Sequence, residues 1–307
     1  MAVNLWWAQL FGTGIVKTTD DFGLQGEYPS HPELLDWLAC ELRDGDGKSA
    51  PWSIKHLWRT LVTSAAYRQA SVARPELAIK DPANRLLARF PRLRLSAETL
   101  RDQALYAAGL LHEQLGGEPV FPPQPPGLWE DRANPDTAAY PGSVVHYPTS
   151  TGEKARRRSL YTFVNRTCPP PLINIFDGPD RTVCIARRTN TNTPLQALAL
   201  LNEPQQWACA RALAQRVLAE KTDTPERLTR LLRHATGKMP APDTLATLEH
   251  GLGDLRARYK AAPGDAAALL ALPGADPLPK DANLPELAAW TLVASTVLNL
   301  DQTLVRD

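Results

Sequence analysis

No run of about 20 apolar residues occurs in this 307-residue chain, so no membrane-spanning helix is encoded. The opening MAVNLWWAQLFGTG lacks a basic segment and a cleavage site, so it does not read as a secretory signal. Cysteine is scarce: Cys40, Cys168, Cys184 and Cys209, with no C-x-x-C pair for zinc and no C-x-x-C-H for haem. The four read either as separate thiols in or near a core or, if the chain is exported, as including a Cys168–Cys184 bridge, so the redox compartment stays open. Net charge is nearly absent as well. A formal +1 gives no overall pull toward nucleic acid or membrane.

Nucleotide and metal motifs also fail on inspection. Gly47-Lys48-Ser49 resembles the end of a phosphate loop, but that loop needs Gly where Leu42 stands. Asp44-Gly-Asp46-Gly-Lys48 resembles a calcium loop, but Lys55 occupies its twelfth position in place of Glu. Gly12-Thr-Gly14 lacks the rest of a dinucleotide fingerprint. Asp21-Phe22-Gly23 is not the kinase motif, because no catalytic-loop or lysine-bearing strand pattern accompanies it. The six histidines show no metal-ligand spacing, and His31, His56 and His112 read as structural. No metal site is expected.

What is present is core-forming sequence and proline. Hydrophobic residues make up 43% of the chain, which supports a folded core. The 28 prolines are about 9% against a usual ~5%, which favours short helices joined by stiff loops. Ser30-His31-Pro32-Glu33 reads as a capping box with Ser30 as N-cap, followed by a helix with Leu34, Leu35, Leu38 and Leu42 on one face and Gly45 and Gly47 at its end. A second stripe runs from Trp52 to Tyr67, and a third helix from Ser96 to about Gln114, stopped at Gly116-Gly117. Residues 118–154, with PVFPPQPPG, hold no period and read as a long irregular excursion.

Ser159–Val164 and Thr182–Ala186 read as two short strands forming a ribbon. Thr193-Pro194-Leu195-Gln196 is a second capping box, opening a helix with Leu195, Leu198 and Leu201. Pro204 kinks or restarts that helix. Further helices start at Thr224-Pro225, at Pro242 and at Pro285, with a loose segment from about residue 260 to Asn283. The expected fold is mainly α: a multi-helix orthogonal bundle with a small β-ribbon and long Pro-rich loops.

Charge is unevenly placed. Between Lys154 and Asn192, Lys154, Arg156, Arg157, Arg158, Arg166, Arg181, Arg187 and Arg188 face only Asp177 and Asp180, a local excess of +6 that leaves about −5 elsewhere. Arginine presents planar, bidentate donors suited to carboxylate, sulfate or phosphate. The cluster reads as internal ion-pair scaffolding or as an external anion site. Nucleic acid is not expected, since no aromatics interleave with the basic residues. Asp20-Asp21-Phe22-Gly23-Leu24-Gln25-Gly26-Glu27 reads as a turn or as a carboxylate site. The candidate anion or ion-pair site is Arg181, Arg187 and Arg188 near Asp20, Asp21 or Glu27, with Asp177 and Asp180 orienting the arginines; catalytic residues are not assigned.

Trp7…Phe11-Gly12, DDFGLQGE, PSHPELLDWLA, WSIKHL and VTSAAYRQ, then RRSLYTFVNRT, FDGPDR, CIARRTNTNTPLQALALLN and AAWTLVASTVLNLDQ, resemble a known family. It is the C-terminal domain of planctomycete-type cytochrome-associated proteins, domain of unknown function 1553 (PSD1-like). The resemblance implies one family domain over 1–307, with a helical half over 1–117, a Pro-rich excursion over 118–158 and an Arg-rich strand and turn plus helices over 159–307. It implies an exported, extracytoplasmic multidomain parent, haem only in a separate upstream domain, and a second uncharacterised domain as neighbour. This chain then looks like a fragment starting at or just inside that domain. Two functions fit: a binding or scaffolding module of that parent, or an enzyme, such as a hydrolase, acting on an anionic or sulfated glycan.

Overall fold

The computed structural model describes residues 1–128, 147–166, 168–271 and 276–306. It is mainly helical, with 13 α-helices and one two-stranded antiparallel sheet among the described residues. No described helix is long and apolar enough to cross a membrane. The chain divides into two compact units.

The first unit comprises Met1–Arg94, Val183–Thr189 and Val305–Asp307. It holds α1 (Ala2–Phe11), α2 (Pro32–Asp44), α3 (Ile54–Thr63), α4 (Pro75–Lys80) and strands β1 (Leu93–Arg94) and β2 (Val305–Arg306). Trp7 stacks on Phe11 at 4.2 Å, and Tyr67 meets Phe90 edge-on at 5.1 Å. Val3, Leu10, Ile15, Leu38, Leu42, Leu57 and Leu61 complete this core. Helix α1 stops at Gly12, whose φ of 76° is left-handed. A Cβ there would come within 2.3 Å of Leu93. Buried Asn4 then clasps the next turn, exchanging two 2.9 Å bonds with the Val16 backbone.

Ser30 does not cap α2. His31 is the N-cap residue, and the Ser30 hydroxyl instead donates to Ile15 O and meets His31 Nδ1. The sequence pattern was right about the helix, but a tertiary carbonyl claims the hydroxyl. Helix α3 has its cap one step outside, at Ser53, which accepts from His56 N.

The ribbon lies elsewhere than expected. β1 pairs with β2, Leu93 opposite Arg306 and Arg94 opposite Val305. Ser159–Tyr161 is a 3-10 turn, and 182–186 forms no strand. Single bridges, His112 to Arg157 and Val120 to Thr162, are all that 157–162 contributes to pairing among the described residues. Neither stretch extends into a ladder, whereas two-residue strands from distant parts of the chain do pair.

The second unit comprises Leu95–Thr182 and Asn190–Leu304. Its helices are α5 (Ala97–Ala107), α6 (Pro171–Ile175), α7 (Pro194–Asn202), α8 (Pro204–Leu218), α9 (Thr224–Thr236), α10 (Pro242–Ala261), α11 (Pro263–Leu270), α12 (Leu284–Leu298) and α13 (Asp301–Leu304). Helix α12 is buried nearly all round and packs on α8, α9, α10 and α11. Trp290 at its centre is fully buried, with Leu213, Val217, Leu228, Leu231, Leu252 and Leu270 in the same core.

Proline marks the starts. Nine of the thirteen described α-helices carry it in their first two positions, where the missing N–H costs no bond. Pro204 restarts rather than kinks: Glu203 closes α7 and caps α8 through Gln206 N.

Helix α5 ends at Ala107, earlier than its apolar stripe suggests. Leu110 N–H returns to Leu105 O and Gly109 N–H to Tyr106 O, a Schellman stop on left-handed Gly109. α11 occupies part of the stretch read as loose. The exposed face of α7 carries Leu195, Leu198 and Leu201, while Gln196 and Leu200 are buried, the reverse of the expected stripe.

Of the expected excursion over 118–158, residues 129–146 lie outside the described residues. Its described ends are clasped. Ser150 N–H donates to Phe121 O at 2.8 Å, and Phe121 packs on Tyr147 and Phe163. Tyr147 donates to Pro122 O, and burial pushes its phenol up to about 12.

Candidate functional site

The Arg-rich segment is assembled in two different ways. In the second unit, Arg101 and Arg157 are 6% and 4% exposed, too deep to meet a ligand from solvent. Arg101 lies on α5. It donates to Arg157 O at 2.9 Å, Ala155 O at 2.7 Å, Ser159 Oγ at 3.1 Å and Gln205 Oε1 at 2.6 Å. Its neighbour Asp102 accepts from both Ser159 N and Ser159 Oγ at 2.7 Å and lies 3.5 Å from Arg101. Burial lowers the Arg101 pKa, with Asp102 opposing.

Arg157 donates to Glu118 O at 2.9 Å, Gln114 O at 3.2 Å and Gly116 O, and its guanidinium lies 3.9 Å over the Tyr161 ring. Arg156 pairs with Asp276 at 2.6 Å, and Arg158 with Asp102 at 3.8 Å. The scaffolding partners of Arg156–Arg158 are thus backbone carbonyls and second-unit carboxylates. Arg101, the centre of this arrangement, was missed by the sequence reading because a lone Arg on an amphipathic helix carries no signal of burial.

The FDG corner belongs to the same unit. Asp177 sits at φ 58°, and its carboxylate accepts from Thr191 N at 2.9 Å and Thr191 Oγ1 at 2.8 Å. Buried Gln196 donates to Ile175 O and Thr191 Oγ1, and its Oε1 accepts from Thr193 N at 3.1 Å in the capping box of α7. A Cβ on Gly178 would come within 2.2 Å of Ile173. The TNTNTPLQ run therefore closes a turn onto FDG. Asp180 turns the chain through Thr182 N at 3.0 Å, a bond that holds its carboxyl below the usual range. Arg181, at φ 62°, is exposed and makes no ion pair among the described residues.

In the first unit, residues 18–27 form a turn. Thr18 Oγ1 donates to Asp21 O and accepts from Glu27 N, both at 2.9 Å. Asp20 Oδ1 accepts from Ala186 N at 3.2 Å, which joins this turn to the segment carrying Arg187 and Arg188. Both arginines are exposed, and Arg187 has no ion pair among the described residues. Glu27 lies 3.6 Å from Lys17, a partner the charge count did not single out. Asp21 is exposed. All four cysteines are free thiols, Cys168 and Cys209 buried, Cys40 and Cys184 exposed.

Against family models, residues 1–252 match PSD1, a protein of unknown function (DUF1553). The chain belongs to the PSD1 family. No curated protein and no solved structure matches it. The PSD1 match includes DDFGLQGE, the Arg-rich segment and the TNTNTPLQ turn, and it ends inside α10, ahead of α12.

Proposed function

We propose that this PSD1 chain is a binding or scaffolding module of an exported, cytochrome-like multidomain protein, acting outside the cytoplasm beside upstream cytochrome-type and second uncharacterised domains. It needs no cofactor of its own in this reading, haem belonging to the upstream domain. One observation carries the reading: Arg101, Arg156, Arg157 and Arg158 spend their donors on the chain's own carbonyls and carboxylates. Such groups build a rigid body and are not poised to change partners during a reaction.

A second reading, a hydrolase-type enzyme for an anionic or sulfated glycan, is favoured by the contact of Asp20 with Ala186 N beside exposed Arg187. A panel of sulfated and uronic-acid glycans separates the two when scored for both binding and product release. The scaffold reading expects no product from any member. Product formation that Arg187→Ala and Arg188→Ala abolish, with melting temperature unchanged, would establish the enzyme instead.

A further inference from the structure

A second basic stretch lies in the first unit, apart from the Arg-rich segment. Residues 55–94 carry nine Lys and Arg against two acids, Glu76 and Asp81. Among the described residues Arg68, Arg74, Lys80 and Arg85 are exposed and enter no ion pair. The acids of residues 1–54 do not answer this excess, since Glu27 pairs with Lys17 and Asp44 with Arg43.

The same stretch exposes large aliphatic side chains. Val72 is 69%, Ile79 86% and Leu86 72% exposed. Backbone bonds hold them on a closed loop. Phe90 N–H donates to Ala70 O at 3.1 Å, and Arg74 donates to Ala88 O at 2.6 Å, so the two arms meet at their base. Buried Phe90, edge-on to Tyr67, anchors that base in the core.

Asp81 shapes the tip. Its carboxylate accepts from Arg85 N and Leu86 N, each at 2.8 Å, and its own N–H returns to Leu77 O. The acid is therefore spent on the turn that follows α4. That turn gathers Ile79 and Lys80 from the end of α4 with Arg85 and Leu86 beyond it. Two exposed aliphatic groups and two unpaired cations share one short corner.

This pairing of chemistries selects among anionic partners. A soluble polyanion accounts for the cations and leaves the aliphatic groups in water. Nucleic-acid bases need aromatic platforms, and no aromatic residue occurs between Tyr67 and Phe90. An anionic bilayer surface satisfies both, since attraction of Lys and Arg to headgroups adds to burial of apolar side chains at the acyl boundary. We infer that the 70–90 loop is a docking surface for anionic lipid, with Ile79 and Leu86 entering the interface and Lys80 and Arg85 meeting headgroup phosphates. The inference rests on neither reading of the function.

The test is sedimentation of the full chain with vesicles of phosphatidylcholine alone or mixed in equal parts with phosphatidylglycerol. The chain should sediment with the mixed vesicles only, and less as salt rises. Ile79→Ser with Leu86→Ser, and Lys80→Ala with Arg85→Ala, should each weaken binding at least tenfold with melting temperature unchanged. Leu195→Ser, an exposed apolar position in the second unit, should bind as the wild type does. Should a double variant fail to fold, Ile79→Ser and Lys80→Ala alone carry the comparison. No binding to mixed vesicles, binding unchanged in the Ile79 and Leu86 variant, or equal loss in Leu195→Ser would each overturn the lipid surface. Binding of soluble poly-glutamate without binding of vesicles would overturn it in favour of an acidic protein partner.

Discussion

Arg157 shows what a charge count can and cannot find. The excess of arginine between residues 154 and 192 was visible, and a fold that uses it internally was one of two expectations. Its partners were invisible, because Gln114 O, Gly116 O and Glu118 O are backbone atoms that every residue has. Sign alone points to Asp20, Asp21 and Glu27; of these, Asp20 meets the Arg-bearing segment through the Ala186 backbone. Cysteine behaves more simply. Burial pushes the Cys209 thiol up to about 12. In the native chain a thiol reagent at mildly alkaline pH should modify Cys40 and Cys184 and spare Cys168 and Cys209, while all four react in denaturant; modification of Cys209 before unfolding would contradict its burial. The same shift sets a pH dependence. The folded state keeps the Cys209 proton where the unfolded chain releases it, so this contribution is complete below the ordinary thiol pKa of about 8.5 and is lost as pH rises from there toward about 12. Urea melts across that window should show stability falling with pH in the wild type, and falling less in Cys209→Ala.

Helix starts were the most legible elements, because proline and small polar residues act locally. The starts at Pro194, Pro225, Pro242 and Pro285 needed no tertiary information. Stops and caps were less legible where a distant group intervenes. Ser30 illustrates this, since its hydroxyl is taken by Ile15 O from outside the helix. Ser53→Ala and Ser96→Ala, which remove side chains that accept from His56 N and Thr99 N, should each cost on the order of 1 kcal/mol in urea unfolding. Ser30→Ala should cost less than either. Equal losses at all three would restore Ser30 as a cap. The β1–β2 ribbon lay beyond sequence reading for a related reason: two-residue strands carry no period, and their pairing depends on Arg306, which also donates to Leu10 O at the end of α1.

At the scale of the molecule, the family match and the fold end in different places. The match stops at residue 252, yet α12 beyond it supplies ten buried residues to the second unit. Removing 284–307 would strip the cover from Leu213, Val217 and Leu231. We predict that such a truncation loses cooperative unfolding; a sharp, wild-type-like melt would contradict the central place of α12. The larger claim is that the arginine excess serves the fold. Equilibrium urea unfolding of Arg101→Ala and Arg157→Ala, set against the triple replacement of Arg181, Arg187 and Arg188 by Ala, tests it most directly. Each buried arginine leaves several carbonyls without a donor, so each of the first two variants should lose about 2–4 kcal/mol. The triple variant should stay within about 1 kcal/mol of the wild type. A triple variant that loses more than either buried-arginine variant would contradict the account.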